Sequence, residues 1–248
     1  MTSEERGEGR GARDEGKPGG GSGSSPRPSS LAPRPSPFIA WPGWRLLGVT
    51  VLLGTALSLW WLLVYGGAEW VTHQRTFRVR VHLDMELAMP YWPPAVVLYL
   101  SLFPLYWLAP FVLRERRQLV VFALTHAAVM TAAGVCFLLF PAELAYSESP
   151  HAGDWEELVQ FARRMAMTYN LAPSLHVALA IVCVAVYAGR APRAGKVLLW
   201  AWGGAIALST LLIHEHHVLD VLTGWPLGIA GKRLIFDRLR ATRPTARG

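Results

Sequence analysis

The sequence predicts an all-α membrane protein: six transmembrane helices in one bundle behind a disordered N-terminal tail. Three observations predict it. Apolar residues make up 52% of the chain and charged residues only 17%, against roughly 25% charged in a soluble domain. The apolar residues gather in six blocks near the length of about 20 residues that a helix needs to cross a bilayer. Basic residues cluster at the ends of those blocks, the pattern that sets membrane topology.

Residues 1–37 are rich in Gly, Ser, Pro, Arg and Glu and almost devoid of apolar side chains. They cannot bury enough surface to offset the entropy of ordering, so a disordered cytoplasmic tail is expected. No apolar stretch follows the first Met, so the start is unlike a signal peptide and the first span reads as an uncleaved anchor. Residues 38–240 form the membrane domain, with spans at 46–65, 94–113, 118–140, 171–187, 197–213 and 218–236. The fourth is short with a polar start, and the sixth is broken by Gly224, Pro226, Gly228, Gly231, Lys232 and Arg233. Weak hydrophobicity of this kind suits helices that face a polar interior. Residues 154–167 read as a short interfacial helix. Asp154 and Glu157 form a capping pair, and Trp155, Leu158, Val159, Ala162 and Met165 share one face. Residues 241–248 are a basic C-terminal tail.

The formal net charge of +7 does not point to nucleic acid, because no binding module accompanies it. Its distribution is a topology signal. Arg45, Arg114, Arg116, Arg117, Arg190, Arg193, Lys196, Lys232, Arg233, Arg238 and Arg240 share one face if there are six crossings. That face is cytoplasmic, as are both termini. The Arg- and Ala-rich composition suits a bacterial inner membrane. Cys136 and Cys183 lie inside apolar runs, so no disulfide framework is expected.

Two polar sequences stand against apolar blocks: Tyr-Asn-Leu-Ala-Pro-Ser-Leu-His at 169–176 and His-Glu-His-His-Val-Leu-Asp at 214–220. Six crossings bring both to the non-cytoplasmic face, each at a helix N-terminus, where free N–H groups favour phosphate. Ionisable residues at a lipid boundary are costly and point to chemistry. Phosphate ester cleavage needs a nucleophile, an acid for the leaving oxygen and positive groups for the phosphoryl oxygens. His216 and Asp220 are four apart and face one another on a helix. Asp220 can then hold one ring nitrogen of His216 and leave the other as nucleophile. His176 can protonate the departing alkoxide, and Ser174 with nearby backbone N–H groups can bind phosphoryl oxygens. This chemistry requires no cofactor or metal.

The same residues carry a family resemblance. Residues 169–178 resemble the second signature of the type 2 phosphatidic acid phosphatase (PAP2) superfamily. The branch that includes inositol phosphorylceramide synthases is the nearest, since Ser-Leu-His there replaces the commoner Ser-Gly-His. Residues 209–224 are similar to the third signature. Met89-Pro90-Tyr91-Trp92-Pro93-Pro94 with Tyr99, and Phe140-Pro141, also look like this branch. The resemblance implies a PAP2-like six-helix bundle and a membrane-embedded lipid phosphatase or headgroup transferase. It implies His216 as nucleophile, His176 as general acid and Asp220 as orienting carboxylate. Tyr169, Asn170, Ser174, Ser209 and Arg164 complete the candidate set for substrate and phosphate. Two departures stand out. Thr210 occupies the place of the third-signature Arg, and no Lys-x6-Arg-Pro first signature is present. Arg163, Arg164, Arg75, Arg78 and Arg80 are the cations left to substitute.

Two other readings compete. The cluster from His214 to Asp220 is dense in potential metal ligands and suits a metal-dependent hydrolase, although His214-Glu215-x-His217 is one residue short of the zinc-protease spacing. A catalytically inactive scaffold with the same fold is the second. The implied partners are the bilayer and a lipid phosphate or phospholipid substrate.

Overall fold

The computed structural model describes residues 37–146 and 151–242. The expected N-terminal tail and most of the C-terminal one lie outside them. The described chain is helical, with no strand beyond a single bridge between Val79 and Ala142. Its helices are α1 (Trp44–His73), α2 (Pro93–Val112), α3 (Arg116–Leu139), α4 (Glu156–Ala166), α5 (Leu175–Ala188), α6 (Arg193–Leu212) and α7 (Val218–Gly231). A π-helical turn, Lys232–Phe236, and Asp237–Ala241 prolong α7.

Four of these, α1, α2, α3 and α6, are long and apolar enough to cross a membrane. The chain has the character of an integral membrane protein. The fourth and sixth expected spans are the two that fall short. α5 has 14 residues, and all but His176 are buried. It is the central helix of the bundle, sheathed by protein, which is why it can be short. α7 owes its low hydropathy to glycines that serve packing.

Gly224, Gly228 and Gly231 lie where α7 approaches its neighbours closely. A Cβ on Gly224 would stand 2.4 Å from the Ser174 carbonyl oxygen, and one on Gly228 would stand 2.5 Å from that of Ala178. Small residues at this spacing let helix backbones approach one another. The approach also aligns a loop, because the Ser174 N–H donates to the Asp220 carbonyl at 2.9 Å.

The helix ends sort into two layers. At one end Arg114 donates to the Pro37 carbonyl, Arg117 to the Leu239 and Thr242 carbonyls, and Arg190 to Gln118 Oε1. The flanking basic residues thus gather there. At the other end Asn170 Nδ2 donates to the Tyr65 carbonyl at 2.7 Å, and Glu69 accepts from the Thr168 and Tyr169 N–H groups. Helix α4 lies across that end, seating Val159 and Ala162 against Val96, Tyr99 and Ile213. Its start differs from expectation. Asp154 falls in a preceding turn, and Glu156, rather than Glu157, accepts the Ala152 N–H at 2.8 Å.

Candidate functional site

The turn from α6 into α7 is built by two backbone bonds. The Thr210 carbonyl accepts the N–H groups of Glu215 at 3.0 Å and His216 at 3.2 Å. Closing it puts His214 at φ 58°, a left-handed conformation that a non-glycine residue seldom adopts and that is often found at functional sites. His216 precedes the helix and does not share a helical face with Asp220. Asp220, in the first turn of α7, reaches back instead. Its Oδ2 accepts the His217 N–H at 2.8 Å and lies 3.3 Å from His216 Nδ1. Both side chains are buried. The Nδ1 proton is therefore held at the carboxylate, and Nε2 is the nitrogen with its lone pair free.

His176 opens α5. Its Nε2 lies 2.9 Å from the Tyr99 carbonyl, and its ring stacks on that of Tyr99 at 3.8 Å. His176 and His216 line the same cavity. This cavity has a volume of about 570 Å³ and passes between α1, α2, α3 and α5. Thr50, Leu57, Leu102, Tyr106, Met130 and Leu179 are among its mostly apolar walls. On α1 it extends from Thr50 to Tyr65, a rise of about 22 Å at 1.5 Å per residue.

His214 and His217 diverge from His216. His214 Nε2 lies 3.1 Å from the Met89 carbonyl. His217 Nε2 accepts the Ala145 N–H at 3.1 Å, and its Nδ1 stands 2.9 Å from Glu86 Oε1. The Tyr146 ring stacks against both, at 4.0 and 4.9 Å. Burial lowers the pKa of both rings, so they are neutral at neutral pH. The three histidines thus serve three sets of partners. Among the described residues no three His, Cys, Asp or Glu side chains converge as a metal site would require.

The other candidates are placed as follows. Ser174 caps α5, its Oγ accepting the Val177 N–H at 3.3 Å. The Ser209 hydroxyl donates to the Ile206 carbonyl within α6 at 2.7 Å. Asn170 is fully buried and ties its loop to α1. Tyr169 lies apart, under the Arg78 guanidinium at 4.1 Å. Arg75 donates to the Leu138 carbonyl, Arg78 to those of Arg75 and Phe77, and Arg80 pairs with Asp84. Arg164 is exposed. Arg163 meets the turn that carries His216, with Nε 3.4 Å from Glu215 Oε1.

Sequence reasoning missed three supports. Glu86 is buried, and its carboxylate accepts the Leu83 N–H at 2.9 Å and the Val218 N–H at 2.7 Å besides facing His217. Tyr146 and the Glu215–Arg163 pair are the others. A lone acid in the apolar stretch 85–93 was the one available signal. Comparison with models of known protein families, with curated proteins and with solved structures finds no significant match.

Burial pushes the Glu215 pKa up to about 7, against the opposing pull of Arg163 and His216. The folded protein then holds a proton that the unfolded chain releases, so stability falls as pH rises from 4.5 through about 7. The stability advantage of Glu215→Gln over the parent should therefore widen by about 3 kcal/mol across that window. Thermal unfolding in detergent at about pH 4.5 and pH 8 measures it, and an unchanged gap would show that the carboxyl does not titrate this way.

Proposed function

We propose that this chain is a membrane enzyme that cleaves or transfers a phosphoryl-linked lipid headgroup through a phospho-histidine intermediate. The observation that carries the reading is the shared cavity: His216, backed by Asp220, and His176 open onto one apolar channel along membrane-length helices. An apolar cavity with a few convergent polar groups is the form a ligand site takes, and here its walls suit a lipid chain.

His216 Nε2 attacks phosphorus. The bond from phosphorus to the lipid oxygen breaks, and His176 supplies the proton that the departing alkoxide takes. Asp220 holds the Nδ1 proton and stabilises the charge that the ring acquires. Water, or the hydroxyl of a second lipid, then attacks the phospho-histidine. His176 recovers the proton, and His216 is freed. The first acceptor makes the enzyme a phosphatase, and the second makes it a transferase.

The reading includes six crossings in a PAP2-like bundle. Six helices, α1 to α3 and α5 to α7, alternate in direction, and their basic termini gather at the end away from His216. The positive-inside rule makes that end cytoplasmic and the His216 end external, which suits a bacterial inner membrane.

Purified protein in mixed micelles is the test, supplied with phosphatidate, a polyprenyl diphosphate, or phosphatidylinositol plus ceramide. At least one should turn over, with inhibition by orthovanadate and none by EDTA. Failure on all three, or loss of turnover on chelation alone, would sink the reading.

A further inference from the structure

Phosphoryl transfer needs positive groups for the phosphoryl oxygens, and no Lys or Arg lines the cavity shared by His176 and His216. We propose that Arg163 supplies the phosphate-binding cation here and that Glu215 holds it in the empty site, competing with phosphate for the same guanidinium. The inference rests on the phosphoryl-transfer reading above.

Of the five arginines available on this side of the bundle, geometry leaves one. Arg75, Arg78 and Arg80 are engaged elsewhere, and Arg164 is exposed. Arg163 projects from α4 into the layer beside the nucleophile. Its Nε meets Glu215, the residue immediately before His216, at 3.4 Å. Its Nη2 is buried and has no hydrogen-bond partner among the described residues. A buried donor without an acceptor is costly and calls for an explanation. A phosphoryl oxygen provides one, because the guanidinium fork presents several donors in a plane that matches phosphate.

Nearby groups show the same deficit of partners. Asp220 Oδ1 and the hydroxyls of Tyr91 and Tyr146 are also buried without partners among the described residues. The Tyr91 and Tyr146 rings flank His214 at 5.3 and 4.0 Å. These atoms lie around the turn that carries His216, where a polar ligand would satisfy them; Tyr106 Oη, beside His126, and Asn170 Oδ1, beside Tyr65, also lack partners among the described residues and stand outside this group.

Glu215 is 6% exposed, so the pair sits in a medium where a charge without its counter-charge is expensive. In the empty site the Glu215 carboxylate, ionised above about pH 7, meets that need. An arriving phosphoester offers more oxygens and more negative charge, and Arg163 turns to it. Glu215 therefore keeps the cation poised and also weakens adventitious binding of smaller anions.

Orthovanadate is the probe, with affinity read from the shift in unfolding temperature of the purified full chain in detergent. Arg163→Ala should weaken vanadate binding by about 10- to 100-fold, the loss of a charged hydrogen-bonding partner. Arg163→Lys should recover part of it. Because Arg163→Ala strands the Glu215 carboxylate and can impair folding, Arg163→Met with Glu215→Gln removes both charges together and should show the same weakening. Glu215→Gln alone should bind vanadate at least as tightly as the parent. Arg193→Ala, at the opposite end, should leave binding unchanged. Parental affinity in both Arg163→Ala and the double variant would overturn the assignment while leaving the phosphoryl-transfer reading intact. Weaker binding in Glu215→Gln would overturn the competition. No vanadate binding by the parent protein would overturn both this inference and the reading beneath it.

Discussion

His216→Ala should lower turnover by about 10⁴- to 10⁶-fold on whichever lipid phosphate the parent accepts, the range seen when a covalent nucleophile is removed. The size follows from the geometry. Asp220 faces His216 Nδ1 across 3.3 Å and leaves the Nε2 lone pair free, whereas that of His217 is taken up by the Ala145 N–H. His214 and His217 are poorly placed to substitute, because His214 Nε2 faces Met89, both His217 nitrogens face Ala145 and Glu86, and neither ring lines the cavity that His216 and His176 share. Burial of the parent ring makes folding the control, and the unfolding temperature of the variant provides it. The intermediate gives a second readout. The parent, quenched in base with labelled substrate, should retain an acid-labile phosphoryl group that His216→Ala lacks. Parental turnover in a folded variant would remove His216 from the mechanism.

The second large effect concerns packing rather than chemistry. Gly224→Val should destabilise the bundle by about 3 kcal/mol, at the upper end of ordinary overpacking, and abolish turnover with it. The added Cβ would meet the Ser174 carbonyl oxygen at 2.4 Å, and a backbone atom inside a packed turn cannot yield as a side chain does. Parting α7 from α5 breaks the bond from the Ser174 N–H to the Asp220 carbonyl, which ties the loop before His176 to the helix bearing Asp220. Gly231 supplies the contrast. Its Cβ would stand 2.4 Å from a methyl of Val129, a side-chain atom that can rotate, so Gly231→Ala should cost less than Gly224→Ala. Unfolding temperatures in detergent compare the pair. Equal losses would show that the close approach of α5 and α7 is not what limits stability.

The long helices were legible because hydropathy reports them directly: α2, α3 and α6 lie within a few residues of the expected spans, and α1 contains its span but runs eight residues further, to His73. α5 was legible as an apolar block with a polar start. Its burial was not, since a run of Val and Ala reads alike facing lipid or protein. Spacing paired His216 with Asp220 correctly for a different reason from the one it offered. The contact forms because Asp220 reaches back beyond the helix start, not because one helix carries both. Arg163 and Arg164 could not be separated from sequence. Adjacent helical positions differ by about 100° in direction, and only packing of α4 onto Val96, Tyr99 and Ile213 decides which one turns inward. Glu86 meets Val218 across 132 positions of chain, a pairing that no local pattern encodes.

The brevity of α5 has a consequence for which acceptor wins. Fourteen residues rise about 21 Å, roughly 9 Å less than a bilayer's hydrocarbon thickness. Under the six-crossing topology proposed above, a far end at the opposite interface would start the helix, and with it His176, below the headgroup plane. On the phosphoryl-transfer reading proposed above, Glu86, Tyr146, Glu215 and Arg163, which pack about the turn that carries His216, would set how readily water reaches the phosphorylated ring. Partition between hydrolysis and transfer becomes a question of traffic, decided by how fast water reaches that ring relative to the lateral arrival of a lipid hydroxyl.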